Sequence, residues 1–142
     1  MNKKFILGIA AAAALAVGSL TASAAGFAKT NTYTPGMFND VPASEWYASS
    51  VSSSYELGFM KGTADGVFSP EGNMTVAEAV TIAARVHDAY NAKGTTFSQN
   101  GTNWYDEYVK YAVDNDIIKA DAFDDYDRPV KRYEMAVIFS KA

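Results

Sequence analysis

The chain of 142 residues carries 12 basic and 16 acidic side chains, a formal net charge of −4, and no cysteine. That length holds one small domain or two sub-domain units. The acidic balance speaks against nucleic acid or an anionic membrane surface as a general partner, since neither gains counterion-release energy from such a protein. Without cysteine the fold has no disulfides to supplement a small core, so packing must suffice, and a 13% share of aromatic residues supplies large burial per side chain.

In chain order, Lys3 and Lys4 form a basic start, residues 5–20 are mostly apolar, and Ala22-Ser23-Ala24 fits a small-x-small cleavage site. This is the pattern of a secretory signal over residues 1–25, with the exported chain starting at Ala25 or Gly26. Its removal leaves 10 basic and 16 acidic residues, a net charge of −6. No later run approaches the ~18 apolar residues needed to span a bilayer. Residues 26–37 read as a linker ending in the turn Pro35-Gly36.

A first unit is predicted over residues 38–96. Phe38-Asn39-Asp40-Val41-Pro42 forms an entry segment, and Ser44 is placed to cap a helix from Glu45-Trp46. That helix depends on pattern rather than propensity: Trp46, Val51, Tyr55 and Phe59 share a face, while five of the intervening residues are serine. Gly58 suits a left-handed helix end, and Asp65-Gly66 a tight turn. Thr75 and Glu78 form a capping box for a second helix with apolar face Val76, Val80, Ala83, Val86 and Tyr90.

A second unit over residues 97–142 repeats this order. Phe97 takes the anchor position, and Trp104, Tyr105, Tyr108, Val109, Ala112 and Val113 make a helical stripe capped by Thr102 or Asn103. Asn115-Asp116 stands where Gly58 stood. A final helix carries Val130, Met135, Val137, Ile138 and Phe139 on its core face, with Glu134 at its third position and Lys131 in the cap slot. The two tryptophans lie 58 positions apart and the two glutamates 56, so the second loop is two residues shorter. An internal repeat of this period implies helical units that bury their faces against each other, and hence a mainly α fold.

The sequence Phe38-Asn39-Asp40-Val41, the Trp46-Tyr47 helix, Gly62-x-x-Asp65-Gly66-x-Phe68-x-Pro70 and Thr75-Val76-Ala77-Glu78 resemble the S-layer homology repeat. The second unit resembles it as well, with Arg132-Tyr133-Glu134 in the place of the Arg-Ala-Glu of the repeat's Thr-Arg-Ala-Glu motif. The resemblance implies helix–loop–helix repeats, usually three around a pseudo-threefold axis. It also implies non-covalent anchoring of exported proteins to a secondary cell-wall polymer, often a pyruvylated one, with the motif's Arg as the main anion contact. Two departures stand out: the Arg position of the first unit holds Val76, and two repeats are found instead of three. Self-association or other S-layer homology repeats would supply the third.

The candidate ligand contacts are therefore Arg132 and Lys131, a cationic pair at a helix start, with Glu134 beside them and Trp46 and Trp104 as stacking surfaces. The alternative for the charges is a solvated surface, and for the tryptophans a core role. Asp121, Asp124, Asp125 and Asp127 cluster without the turn glycine of a calcium loop and with Arg128 among them. His87 has no nucleophile motif around it. No cofactor, metal site or catalytic constellation is expected. The leading reading is a secreted, non-enzymatic cell-wall anchor. Its rivals are an S-layer or envelope assembly protein without strong polymer affinity, and the anchor fragment of a longer exported enzyme.

Overall fold

Four helices, α1 (Ala48–Glu56), α2 (Val76–Tyr90), α3 (Asp106–Asp114) and α4 (Arg132–Phe139), account for the regular structure of the computed structural model, which describes residues 26–98 and 101–142. The fold is mainly α, and among the described residues there is no strand, only the isolated bridges Ala64–Val67 and Thr75–Pro129. The signal-sequence reading lies outside the described residues.

The longest helix, α2, begins as its sequence dictates. Thr75 Oγ1 accepts from the Glu78 amide at 3.2 Å, and Glu78 Oε2 accepts from the Thr75 amide at 2.8 Å. Small side chains follow. Ala77, Ala79, Ala83 and Ala84 are fully buried together with Val76 and Val80, so neighbouring backbones approach closely. α3 and α4 both pack on α2, and Tyr108, Tyr111, Ala112, Ile117 and Ile138 complete this core. Tyr90 does not join it: its ring is 63% exposed and meets only the half-exposed Phe27 ring, 6.4 Å away among the described residues.

The first helix of each unit starts later than its pattern suggests. Residues 42–47 are spent in turns, with Glu45 N–H donating to Pro42 O and Ala48 N–H to Glu45 O, so Ser44 caps nothing and α1 starts at Ala48. Trp46 therefore stands off the helix face, 85% exposed. α3 likewise begins at Asp106, leaving Trp104 and Tyr105 ahead of it, and neither Thr102 nor Asn103 serves as its cap. Instead Asp106 reaches back to the Asn103 amide at 2.9 Å. Both helix ends are left-handed as their residues predict, Gly58 at φ +75° and Asp116 at φ +58°.

A second, smaller core joins Phe38, Val41, Val51 and Phe68, with Tyr33 and Tyr55 packed against it. α1 contacts this entry segment and loop and packs on no other described helix. Asp40 fastens the loop: its carboxylate accepts from the amides of Phe68 and Ser69, which holds its pKa below the usual carboxylate value. Gly62 is required where the loop closes, because a Cβ there would lie 2.5 Å from Val67 O and 2.9 Å from the Phe38 ring. Residues of the 26–37 stretch are tied to the end of α1. Thr30 and Asn31 both donate backbone N–H to Glu56 O, at 2.8 and 3.0 Å, and Lys29 pairs with Glu56. Terminal carbonyls that α1 cannot satisfy itself are met this way.

The last helix corrects its predicted face. Ile138 is fully buried, whereas Val137 is 57% and Phe139 36% exposed, because α2 covers α4 from one side only. Lys131 precedes α4 with extended backbone, and only half of the reciprocal cap exists: the Lys131 amide donates to Glu134 Oε2 at 2.8 Å, while an ammonium cannot accept in return.

The asymmetry between the two caps is measurable. Thr75→Ala should lower unfolding free energy by about 1 kcal/mol in urea titrations, the usual worth of a helix cap. Lys131→Thr restores the missing acceptor and should raise it by a similar or smaller amount. Equal, near-zero changes in both variants would show that the caps are immaterial to α2 and α4.

Candidate functional site

The amide groups of Val76 and Ala77 begin a helix whose first turn is buried, and helix starts leave such donors without internal partners. The chain supplies acceptors from a distance: Arg128 O takes Val76 N–H at 3.0 Å and Tyr126 O takes Ala77 N–H at 2.9 Å. Val130 N–H then returns to Met74 O at 2.9 Å. This short antiparallel contact brings the starts of α2 and α4 together.

At the start of α4 the residues expected to bind ligand take different parts. Glu134 is turned inward, its side chain 8% exposed, and accepts from Arg128 through two bonds, Nη1 to Oε2 at 2.9 Å and Nη2 to Oε1 at 2.6 Å. Those bonds, with the Lys131 amide and the Arg128 charge, hold its carboxyl down to about 2. The Arg128 guanidinium is shifted up by the same pairing. Glu134 is thus committed to the fold. Arg132 is exposed and has no hydrogen-bond or ion-pair partner among the described residues. Lys131 is exposed as well, its Nζ 5.8 Å from the centre of the Tyr133 ring. Two unneutralised cations therefore face solvent beside a helix N-terminus, an arrangement that attracts anions.

A cavity of about 600 Å³ opens between the loop over residues 59–74, α2 and Trp104. Of the expected contacts only Trp104 lines it, 45% exposed and edge-on to Tyr105 at 5.5 Å. Trp46 does not line it; it packs edge-on to Tyr47 at 5.6 Å. The α2 side of the cavity carries Glu78, Thr81, Ile82 and Arg85. Both terminal nitrogens of Arg85 are engaged, Nη1 with Phe59 O at 3.1 Å and Nη2 with Tyr108 Oη at 2.9 Å, and the guanidinium lies 4.9 Å from the Tyr108 ring centre. Thr81 Oγ1 is buried and has no hydrogen-bond partner.

The sequence reading missed Arg85, Thr81 and the pairing role of Arg128. Arg85 and Thr81 had a signal: both interrupt the apolar run over residues 79–86 of α2 at a spacing of one turn. Arg128 was hidden in the acidic run, where its partner six residues on cannot be told from the three nearer aspartates, Asp124, Asp125 and Asp127. Elsewhere His87 meets Tyr111 through Nδ1 at 3.0 Å, and burial, aided by Lys93, pushes its pKa below 6.5. It lies partly buried against Tyr111, edge-on to that ring. Among the described residues no helix is long and apolar enough to cross a membrane.

Residues 38–80 match the family model of the S-layer homology domain. Over 84 residues, 58% of the chain, it is 32% identical to the S-layer protein sap of Bacillus anthracis. The aligned part is 10% of that relative's length. No solved structure matches the chain significantly.

The Glu134–Arg128 pair ties stability to pH with a definite sign. A carboxyl held near 2 when folded, against an ordinary 4.5, favours the folded state fully above about pH 4.5 and loses this contribution as pH falls toward 2. Wild-type stability should fall across that window, and Glu134→Gln should flatten the fall while lowering stability at pH 7. Parallel pH profiles for the two proteins would show the pair to be inconsequential.

Proposed function

We propose that the chain is a non-enzymatic module that anchors non-covalently to the bacterial cell wall by binding a secondary wall polymer. The observation that carries this reading is the match of residues 38–80 to the S-layer homology domain, and the likeness to an S-layer protein agrees with it. The apolar start over residues 1–25 supports export and a cell-surface location. The second unit, residues 97–142, is read as a further repeat on the strength of the capping glutamate, which bonds back to the cap amide in α4 as in α2.

The proposed anion contact is Arg132, assisted by Lys131. A pyruvyl carboxylate on the polymer meets a free guanidinium whose fork matches it, near the positive end of α4. Glu134 serves the site indirectly, by fixing Arg128 and the Lys131 amide. At position 76 the buried valine offers neither charge nor donor, so carboxylate recognition rests on the second unit.

The exposed face of α4 favours one further reading. Tyr133 and Val137 stand 63% and 57% exposed, whereas Ala77 and Thr81, 56 positions earlier on α2, are covered. Another S-layer homology repeat, or a second copy of this chain, would cover the α4 face in an envelope assembly. Light scattering over a concentration series distinguishes this reading, since a lone anchor keeps a constant mass.

The direct test is co-sedimentation with purified cell walls before and after chemical stripping of the secondary polymer. Binding should disappear on stripping, and Arg132→Ala should weaken it about tenfold or more, the worth of a charge-assisted hydrogen bond, with an unchanged circular dichroism spectrum. Binding that survives stripping would sink the polymer reading, and full binding by Arg132→Ala would remove Arg132 from the site.

A further inference from the structure

We infer that a second copy of this chain docks head-to-tail on α4, its first unit covering the open face of that helix as the second unit covers α2 within one chain. The inference rests on the assembly reading and deepens it, by committing to one partner and to the two surfaces that meet.

The internal repeat supplies the template. On α2 the stripe Val76, Ala77, Val80, Thr81 and Ala84 is buried throughout. Its counterpart 56 positions later on α4 is Arg132, Tyr133, Ala136, Val137 and Ser140, exposed throughout. A repeat unit of this kind buries such a face only against a neighbouring unit. The backbone shows the same contrast. Arg128 O and Tyr126 O accept from the amides of Val76 and Ala77. The corresponding amides of Arg132 and Tyr133 have no acceptor among the described residues. Gly72 O and Pro70 O, the counterparts of Arg128 O and Tyr126 O, have no donor there either. The second unit thus holds free donors and the first unit free acceptors, at the positions that are bonded to each other inside the chain.

Two further observations identify the first unit of a second copy as the occupant. Trp46 stands 58 positions before Trp104 and is 85% exposed, whereas Trp104 faces α2 of the other unit across the cavity. α1 packs on no other described helix, while its counterpart α3 packs on α2. The first unit therefore carries an unused version of the surface by which the second unit meets α2. Charge agrees with this pairing. Lys131 and Arg132 border the open stripe of α4 and have no ion-pair partner among the described residues. Glu45 and Glu71 are exposed near Tyr47, whose pKa is pushed up by burial and then by their charges. Opposite charges on the two surfaces favour a head-to-tail register over like against like. α1 offers Ser50 and Ser53 where α3 has Tyr108 and Tyr111. The docked junction therefore buries less apolar surface than the internal one, and the contact is reversible.

The test is sedimentation equilibrium of the exported chain from micromolar to millimolar concentration, with no wall polymer present. Average mass should rise with concentration. Val137→Glu puts a charge on the α4 face and Trp46→Ala removes the opposing ring, and each should weaken association about tenfold or more. A head-to-tail join needs one sound α4 face and one sound Trp46 surface, from different copies. An equimolar mixture of the two variants, at a concentration where each alone is monomeric, should therefore form a one-to-one dimer and grow no further. If Val137→Glu loses the wild-type circular dichroism spectrum, Tyr133→Ser takes its place in the mixture. A monomer mass for wild type at every concentration overturns the inference. Rising mass that both variants retain, or a mixture that stays monomeric, overturns this docking while leaving assembly through another surface. Polymer-dependent wall sedimentation, measured separately, reports on the anchor alone.

Discussion

The fold depends on how the first turn of α2 obtains its hydrogen-bond partners. Val76 and Ala77 are fully buried, and a buried amide left unpaired costs about 1–3 kcal/mol. Only the carbonyls of Arg128 and Tyr126 reach them, so the segment ahead of α4 must lie against the start of α2. Its placement is secured from the other side, because Glu134 grips the Arg128 side chain whose own carbonyl receives the Val76 amide. An ion pair at the start of one helix thereby fixes the start of another. The same contact turns Glu134 inward and leaves Arg132 outward, and this separates the structural carboxylate from the available cation.

That junction also shapes the cavity. With the starts of α2 and α4 joined, α3 settles on the alanine-rich face of α2, where Tyr108 and Ala112 can approach closely. Trp104 lies just ahead of α3, outside its helical backbone, and is carried to the mouth of the space between α2 and the loop over residues 59–74. Arg85 closes the space from below by bonding to Phe59 O and Tyr108 Oη, one acceptor from each unit. The cavity and the exposed start of α4 are thus by-products of helix packing, and polar side chains that serve the packing are unavailable to a ligand.

Much of the fold is legible in the residues, for identifiable reasons. The Thr75–Glu78 cap, the left-handed positions of Gly58 and Asp116, and the core face of α2 from Val76 to Ala83 are local matters, settled within one or two turns of chain. What escaped was long-range. The late starts of α1 and α3 come from turns over residues 42–47 and from Asp106 bonding back to Asn103, details that apolar periodicity does not register. The exposed side of α4 escaped because a stripe of valine and phenylalanine announces burial without saying whether a neighbour exists to provide it. At the site, Arg132 and Lys131 were visible as charges at a helix start, but the inward turn of Glu134 required knowing that Arg128 comes to meet it. Thr81 is visible as a polar residue in an apolar run. Its lack of a partner is a property of the surroundings alone.

Position 76 shows how packing, more than ligand chemistry, sets which residues can bind. The Thr-Arg-Ala-Glu pattern would place an arginine there, and the chain has a valine with no exposed surface, covered by the segment that leads into α4. An arginine in that place would be a buried cation, which costs several kcal/mol unless it is paired and fully hydrogen-bonded. The carboxylate at hand, Glu78, is already held by the Thr75 amide and hydroxyl. Valine is therefore what the junction between the two units demands. The corresponding residue on α4, Arg132, stands exposed and escapes that demand. The absence of charge in one unit and its presence in the other follow from a single difference: one helix start is covered by its neighbour and the other is open.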